Sequence, residues 1–173
     1  MRVAITILTV ILLLVGLSRV GYCPTYVGDR DWVEDYHTIQ WNAYADSIAQ
    51  RESGGDTLAV GLNYYLGIYQ FGRGAARDIG IPYHLLLTKR GSDTALVRYS
   101  AKNWEYLKAY RSYVGDTING IPITKAGMLA AAHLRGHVYA AMFLYTRGDS
   151  IGRDANGVGV DEYYRMMSNV HIK

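Results

Sequence analysis

A glutamate followed by a serine and two glycines is the part of this sequence best suited to chemistry. Residues 52–56 read Glu-Ser-Gly-Gly-Asp, and they end a stretch, 35–53, whose apolar residues recur at helical spacing. Glu52 is the last large residue on that apolar face, and the glycines that follow can end a helix. Poor solvation at such a position favours the neutral form of a carboxyl. The pattern predicts a general acid, although an ordinary solvated glutamate at a helix end fits the same spacing.

A second motif, Gly-Ile-Tyr-Gln-Phe, follows at residues 67–71. In order and spacing, the two motifs resemble those of the lysozyme-like lytic transglycosylases, enzymes that cleave peptidoglycan. A third motif of that family, a helix carrying Ala-Tyr-Asn-Ala-Gly or a variant, has a counterpart in Ala-His-Leu-Arg-Gly at residues 132–136. Leu134 stands where better-known members have asparagine, which leaves one of the family's substrate contacts without a counterpart. With its flanking helices, the resemblance covers nearly all of the chain after residue 35.

The resemblance implies a mechanism that uses a single carboxyl. In the family, one glutamate protonates the bridging oxygen between N-acetylmuramic acid and N-acetylglucosamine. The resulting carboxylate then removes a proton from the C6 hydroxyl of the sugar, so the product carries a 1,6-anhydro end. Glu52 takes this catalytic position, and no cofactor is implied. Ser53 would orient the carboxyl or the substrate's N-acetyl group, and its alternative is a plain helix-end hydroxyl.

Further substrate contacts are expected from the second and third motifs and from the last helix. Gln70 would hold a sugar or shape the groove near Glu52, while Gly67 lets the backbone approach closely. Tyr69 is equally suited to the core and to a platform for a sugar ring. Many family members place a tyrosine near the acid, and the sequence does not choose between its two candidates in the last helix. The substrate-binding candidates are Ser53, Gly67, Tyr69, Gln70, His133, Tyr163 and Tyr164.

Two patterns that could bind metal ions are incomplete. His133 and His137 have the spacing of a helical zinc site, but the glutamate of the His-Glu-x-x-His motif is missing and Gly136 interrupts the helix. Residues 154–157 resemble the start of a calcium loop, but Arg165 stands where the closing glutamate is required. We expect no metal site.

The N-terminal residues predict export. Residues 3–17 form an apolar run whose length fits the hydrophobic region of a secretory signal and is short for a membrane span. We therefore expect a signal peptide or an N-terminal membrane anchor at residues 1–23, a linker at 24–34 and a lysozyme-like catalytic domain at 35–173. The protein would act in the periplasm or cell envelope. Whether the leader is cleaved or lipidated at Cys23 is left open, as is a bacterial or phage origin.

Composition narrows the range of partners. The formal charge of +3 includes two arginines in the leader. This weak balance gives no case for a nucleic-acid partner, which usually requires a clustered basic face. A single cysteine excludes an intramolecular disulfide and a cysteine-ligated metal site. The 16 tyrosines suit half-buried packing and stacking on sugar rings. We expect a monomer whose partner is the glycan strand of peptidoglycan.

The elements that position the motifs are predicted to be mainly helical, in a lysozyme-like α+β domain with a small irregular or β element. The first helix should point Trp41 and Tyr44 inward, and the longest helix should lie at the centre. Ser92 and Thr124 are expected to cap helices, and Asn119 with Gly120 to form a turn. The predicted helices span residues 35–53, 73–79, 83–88, 93–114, 125–134, 138–147 and 161–170, with loops and a short hairpin at 56–65.

Two other functions fit parts of the same pattern. A hydrolytic muramidase would act on the same bond with water as the attacking group, and it would need a base such as Asp56 or Asp78. A non-catalytic wall-binding or assembly protein would keep the groove without turnover, and Leu134 is the residue that favours it.

Overall fold

The computed structural model describes residues 39–172 of the chain. They belong to the second of the two units into which the chain divides, Asp31–Lys173. The predicted leader and linker lie outside the described residues, as do residues 35–38 of the predicted first helix. The described part is mainly helical with one small antiparallel sheet, which confirms the expected mainly α class with a minor β element.

The described residues contain six α-helices, three 3₁₀ helices and one two-stranded hairpin. The α-helices are α1 Ile39–Ser53, α2 Arg73–Asp78, α3 Lys89–Tyr106, α4 Lys125–Arg135, α5 His137–Tyr145 and α6 Val160–Met166. The 3₁₀ helices are Leu62–Tyr64, Tyr83–Leu87 and Lys108–Tyr113. Strand β1, Thr117–Ile118, pairs antiparallel with β2, Ile121–Pro122, so that Ile118 lies opposite Ile121. Within residues 39–172, no helix combines the length and the apolar composition needed to cross a membrane.

Several element ends follow the predicted caps and turns. The hydroxyl of Thr124 accepts a hydrogen bond from the backbone N–H of Gly127 at 2.9 Å, which caps α4. Asn119 and Gly120 take φ values of 50° and 75°, as a tight turn between β1 and β2 requires. Gly136 separates α4 from α5, as expected. These predictions hold because each depends on the chemistry of one or two adjacent residues.

The longest helix differs from its prediction at both ends. Its cap is Thr88, whose side chain accepts from the N–H of Gly91, and it therefore begins four residues before the predicted start. Ser92 lies inside the helix, buried, where its hydroxyl donates to the carbonyl of Leu86 at 2.6 Å. The α-helix stops at Tyr106 and gives way to a 3₁₀ helix, so the prediction of one helix over 93–114 was wrong.

The most fully buried helix is α4, not the longest helix. Every residue from 126 to 132 is buried, and most are alanine or glycine. Small side chains allow α5 and α6 to pack closely on α4. At Gly127 an added Cβ would already lie 3.1 Å from the ring of Tyr164. Tyr164 in turn stacks on Phe143 with ring centroids 4.8 Å apart.

Helix α1 buries the face that its spacing predicts. Trp41, Tyr44 and Ile48 are at most 2% exposed, which confirms the inward orientation of the two aromatic residues. The hydroxyls of Tyr44 and Ser100 lie 3.2 Å apart and join α1 to α3. This contact fixes the helix whose last turn carries Glu52.

Stability should fall at alkaline pH because several phenols are buried, Tyr44 and Tyr164 among them. Desolvation by burial raises the pKa of Tyr44 and of Tyr164 well above the ordinary tyrosine value. The unfolded chain therefore releases these protons first, and the folded state loses stability as pH rises above about 10, by about 1.4 kcal/mol per pH unit for each tyrosine. Below that pH both groups are neutral in both states and contribute no pH dependence.

Urea unfolding at a series of pH values between about 8 and about 11 would measure this slope. Tyr44→Phe removes one of these phenols and should make the decline above pH 10 shallower than in the wild type. Equal slopes in the two proteins would contradict the assignment of the decline to Tyr44.

Candidate active site

The carboxyl group of Glu52 accepts a hydrogen bond from a tyrosine far away in the sequence. The hydroxyl of Tyr163, on α6, donates to Oε1 of Glu52 at 2.5 Å. Glu52 is partly buried in the last turn of α1, and Tyr163 is 3% exposed. Burial, together with the charge and the hydrogen bond of Glu52, raises the pKa of Tyr163. Its phenol therefore stays protonated and can act as a donor throughout the neutral pH range.

The structure distinguishes the two adjacent tyrosines of α6. Neighbouring residues on a helix point about 100° apart, so only one of them can face Glu52. Tyr164 is fully buried, and its hydroxyl donates to the carbonyl of Ala140 at 3.0 Å. Tyr163 is thus the tyrosine beside the carboxyl, whereas Tyr164 belongs to the core and offers no surface to a substrate.

An ion pair reinforces the contact between α1 and α6. Arg51 donates to Glu162 at 3.0 Å, and its guanidinium lies 5.6 Å from the ring centre of Tyr163. Burial lowers the pKa of Arg51, but its contacts with Tyr163 and Glu162 outweigh this and the net shift is upward. Sequence reasoning did not single out Arg51 or Glu162. Each directly precedes a residue of the Glu52–Tyr163 pair, and only the fold brings the two dipeptides together.

Ser53 joins the end of α1 to the second motif. The helix ends at Ser53, as predicted, with Gly54 in the left-handed region at φ 66°. The hydroxyl of Ser53 lies 2.8 Å from the carbonyl of Ile68 and 3.3 Å from that of Ala49, and it donates to these carbonyls. Its role in the described residues is therefore to fix the turn at residues 67–70 beside Glu52.

The second motif forms a tight turn closed by paired backbone bonds. Leu66 and Phe71 exchange both N–H···O bonds at 3.0 Å, and the N–H of Gln70 donates to the carbonyl of Gly67, also at 3.0 Å. The side-chain nitrogen of Gln70 donates to Gly67 at 2.9 Å and to Ala59 at 3.4 Å. These bonds hold Gln70 at a φ of 49°, in the left-handed region. The turn next to Glu52 is thus fixed by its own residues.

Tyr69 and His133 secure this turn from the core side. Tyr69 is 2% exposed and its hydroxyl donates to Asp93 at 2.9 Å, which supports the core role over that of a sugar platform. Nε2 of His133 lies 2.9 Å from the backbone carbonyl of Tyr69, and because a carbonyl only accepts, this nitrogen carries the proton. The His133 ring also meets Phe71 edge to face at 5.0 Å. The third motif therefore supports the second.

Gly67 is required by packing within the chain. It is buried, its φ is 77°, and an added Cβ would lie 1.8 Å from the carbonyl oxygen of Leu86 and 2.7 Å from the hydroxyl of Ser92. The close approach that this glycine permits is to those two residues. Contact between Gly67 and a sugar stays a prediction.

The carboxylates named as alternative bases are engaged elsewhere. Asp56 accepts the N–H of Leu58 at 2.8 Å and shapes its own turn. Asp78 forms an ion pair with Lys102. In the part of the chain that the structure describes, His, Cys, Asp and Glu side chains do not form a group of three that could hold a metal ion.

A pocket of about 260 Å³ lies along α1, away from the Glu52–Tyr163 pair. It is lined by Trp41, Asn42, Ala45, Asp46, Tyr69, Lys89, Asp93 and Leu96. Tyr69 belongs both to this lining and to the turn beside Glu52. The candidate site is therefore the Glu52–Tyr163 pair with the turn that Ser53 holds beside it, and this pocket is a separate feature.

Replacing Tyr163 by phenylalanine should slow any reaction that depends on Glu52. The change removes one hydrogen bond to a carboxylate and keeps the ring, so we expect a loss of about tenfold to a hundredfold in kcat with little effect on folding. The matched control is Tyr164→Phe, which removes a hydroxyl from the core and should lower stability by about 1 kcal/mol without changing kcat. Equal kcat values for Tyr163→Phe and wild type would contradict the importance of this contact.

Comparison of the chain with protein-family models, with curated proteins and with solved structures finds no match in any of the three.

Proposed function

We propose that this chain is an exported peptidoglycan lytic transglycosylase with a lysozyme-like fold. It would cleave the β-1,4 bond between N-acetylmuramic acid and N-acetylglucosamine and leave a 1,6-anhydro end. The observation that carries the proposal is the hydrogen bond from Tyr163 to Glu52. The resemblance leads us to expect a tyrosine near the acid, and this contact supplies one from a helix remote in sequence.

The chemistry needs one carboxyl and no added reactant. Protonated Glu52 gives its proton to the bridging oxygen, and the bond from that oxygen to C1 of the muramyl sugar breaks. The substrate's N-acetyl group shares the positive charge that develops at C1. The Glu52 carboxylate then takes the proton of the C6 hydroxyl while the C6 oxygen bonds to C1, which closes the 1,6-anhydro ring. Glu52 ends the cycle protonated, so protons and bonds balance without water.

Tyr163 and Arg51 would serve the carboxylate stage of this cycle. The Tyr163 hydroxyl donates to Oε1 of Glu52, so Oε2 is left to exchange the proton with the substrate. This hydrogen bond, 2.5 Å long, would persist to the carboxylate that the first proton transfer leaves and would keep it oriented. The Arg51 guanidinium, 5.6 Å from the Tyr163 ring and paired with Glu162, would hold that tyrosine in position.

The turn at residues 67–70 would form one wall of the substrate groove. Ser53 holds it against α1, and His133 holds it against α4. The amide nitrogen of Gln70 donates within the turn, which keeps this wall in a fixed conformation. The substrate would be positioned by this wall next to the carboxyl of Glu52.

Asp56 and Asp78 already have partners within the chain, which favours the transglycosylase over the hydrolytic muramidase. Hydrolysis needs a second carboxylate to activate water, and the two candidates bind a backbone N–H and a lysine. The partly buried Leu134 packs against the core. Leu134 stands where better-known family members have a substrate-binding asparagine, so it is the residue that favours a non-catalytic wall-binding protein.

Purified protein incubated with isolated peptidoglycan tests for cleavage. The proposal predicts soluble muropeptides that accumulate with time. Folded protein that sediments with the wall but releases no soluble product would instead support the wall-binding alternative.

A further inference from the structure

Five large apolar side chains between residues 58 and 65 are exposed to solvent. Leu58 is 69% exposed, Val60 60%, Leu62 82%, Tyr64 75% and Tyr65 46%. A single exposed apolar residue is ordinary, but a contiguous group usually marks a surface that binds a partner. We call residues 58–65, which carry these five side chains, the apolar loop. It follows the Glu52 motif directly in sequence.

The apolar loop is held in a defined conformation. The N–H of Gly61 donates to the carbonyl of Tyr65 at 2.8 Å, and the hydroxyl of Tyr83 donates to the carbonyl of Tyr64. Asn63 and Tyr64 both take left-handed φ values, 59° and 60°. This conformation is rare for an aromatic residue such as Tyr64. Such a backbone is unfavourable for a tyrosine, and Tyr64 gains little burial in return. The fold thus maintains a shape that presents these side chains outward.

The chemistry of the apolar loop fits hydrocarbon better than sugar. Leu58, Val60 and Leu62 have no aromatic face for a sugar ring and no group that forms a hydrogen bond. Aliphatic side chains gain free energy when they leave water for an apolar phase. Tyr64 and Tyr65 combine an apolar ring with a polar edge, which suits the boundary between hydrocarbon and water.

The charges around the loop suit an anionic lipid surface. Residues 57–77 contain two arginines and lie between Asp56 and Asp78, and the charge of Asp78 is paired with Lys102. Both Arg73 and Arg77 are exposed, and Arg73 lies 4.5 Å from the ring centre of Tyr83, the residue that binds the loop at Tyr64. Basic residues beside an interfacial apolar patch are attracted to acidic headgroups.

We propose that the apolar loop inserts into the surface of a phospholipid bilayer that carries anionic headgroups. The N–H of Gly67 donates to the carbonyl of Ala59 at 2.9 Å, so the loop is bonded to the turn beside Glu52. Insertion would therefore hold the candidate active site close to the membrane. The site would then act on the glycan strands that lie next to the membrane. The lipid contact itself does not depend on catalysis by Glu52.

An environment-sensitive fluorophore on the loop tests this proposal in the full chain. Cys23→Ser removes the native thiol, and Leu62→Cys supplies a site for a nitrobenzoxadiazole label. Vesicles of phosphatidylcholine and phosphatidylglycerol should shift its emission to the blue and raise its intensity severalfold. The matched control carries the label at position 145 on α5, where Tyr145 is 74% exposed, and should not respond.

The label reports immersion at its own position, so attachment through the apolar run at residues 3–17 alone would change neither signal. Leu58→Glu combined with Val60→Glu should abolish the response at position 62, and because both sites are exposed the double variant should stay folded. Three results would overturn the proposal: no response at position 62, an equal response at position 145, or a response to isolated glycan strands but not to vesicles.

Discussion

Replacing Glu52 by glutamine should abolish the cleavage of peptidoglycan while the protein stays folded. Glutamine keeps the shape of the side chain and can still accept the hydrogen bond from Tyr163, but it has no proton to give to the bridging oxygen. In the proposed cycle the same group must also act as a base, so both proton transfers are lost. We expect a fall in the rate of muropeptide release of about a thousandfold or more.

The control for this variant is Glu105→Gln. Glu105 forms an exposed ion pair with Arg111, of a kind that contributes about 0–1 kcal/mol, so its loss should leave the rate unchanged. Release rates for both variants and the wild type, with circular dichroism to show that each is folded, would give the comparison. If Glu52→Gln released muropeptides at the wild-type rate, the assignment of the catalyst would be wrong.

Replacing Gly67 by alanine should cause the largest loss of stability among single substitutions in the second motif. The added Cβ would lie 1.8 Å from the carbonyl oxygen of Leu86, and the backbone at a φ of 77° already disfavours any side chain. Left-handed strain and overpacking together should lower the free energy of unfolding by about 3 kcal/mol or more. Chemical denaturation would measure the change.

Gly74→Ala provides the matched control. An added Cβ there meets no other atom within 4 Å, and the residue lies in α2. Alanine is favoured over glycine in a helix, so this variant should be about 0.5–1 kcal/mol more stable than the wild type. A Gly67→Ala protein as stable as Gly74→Ala would contradict the packing described around the turn.

Local chemistry made part of the fold predictable. The Thr124 cap, the turn at Asn119 and Gly120, and the end of α1 at Ser53 each follow from residues adjacent in sequence. The start of α3 did not, because Thr88 and Ser92 can both cap a helix. The choice depends on Leu86, whose carbonyl accepts the Ser92 hydroxyl in the folded protein. A tertiary contact of this kind leaves no local pattern.

The candidate site was predictable in its residues but not in its contacts. The position of Glu52 at a helix end was evident from spacing and from the glycines that follow. The partner of Glu52 could not be chosen, because Tyr163 and Tyr164 are adjacent and only the packing of α6 on α4 turns Tyr164 into the core. Arg51 had no distinguishing pattern at all, since its partner Glu162 is 111 residues away.

Mass spectrometry of the products released from purified peptidoglycan tests the central claim most directly. A lytic transglycosylase that uses Glu52 alone must leave 1,6-anhydro ends, because the C6 oxygen of the sugar replaces the leaving group. The wild type should therefore release muropeptides that are one water lighter than those with reducing ends, and Glu52→Gln should release none. Products with reducing ends would show that water is the attacking group, and they would contradict the single-carboxyl mechanism proposed for this chain.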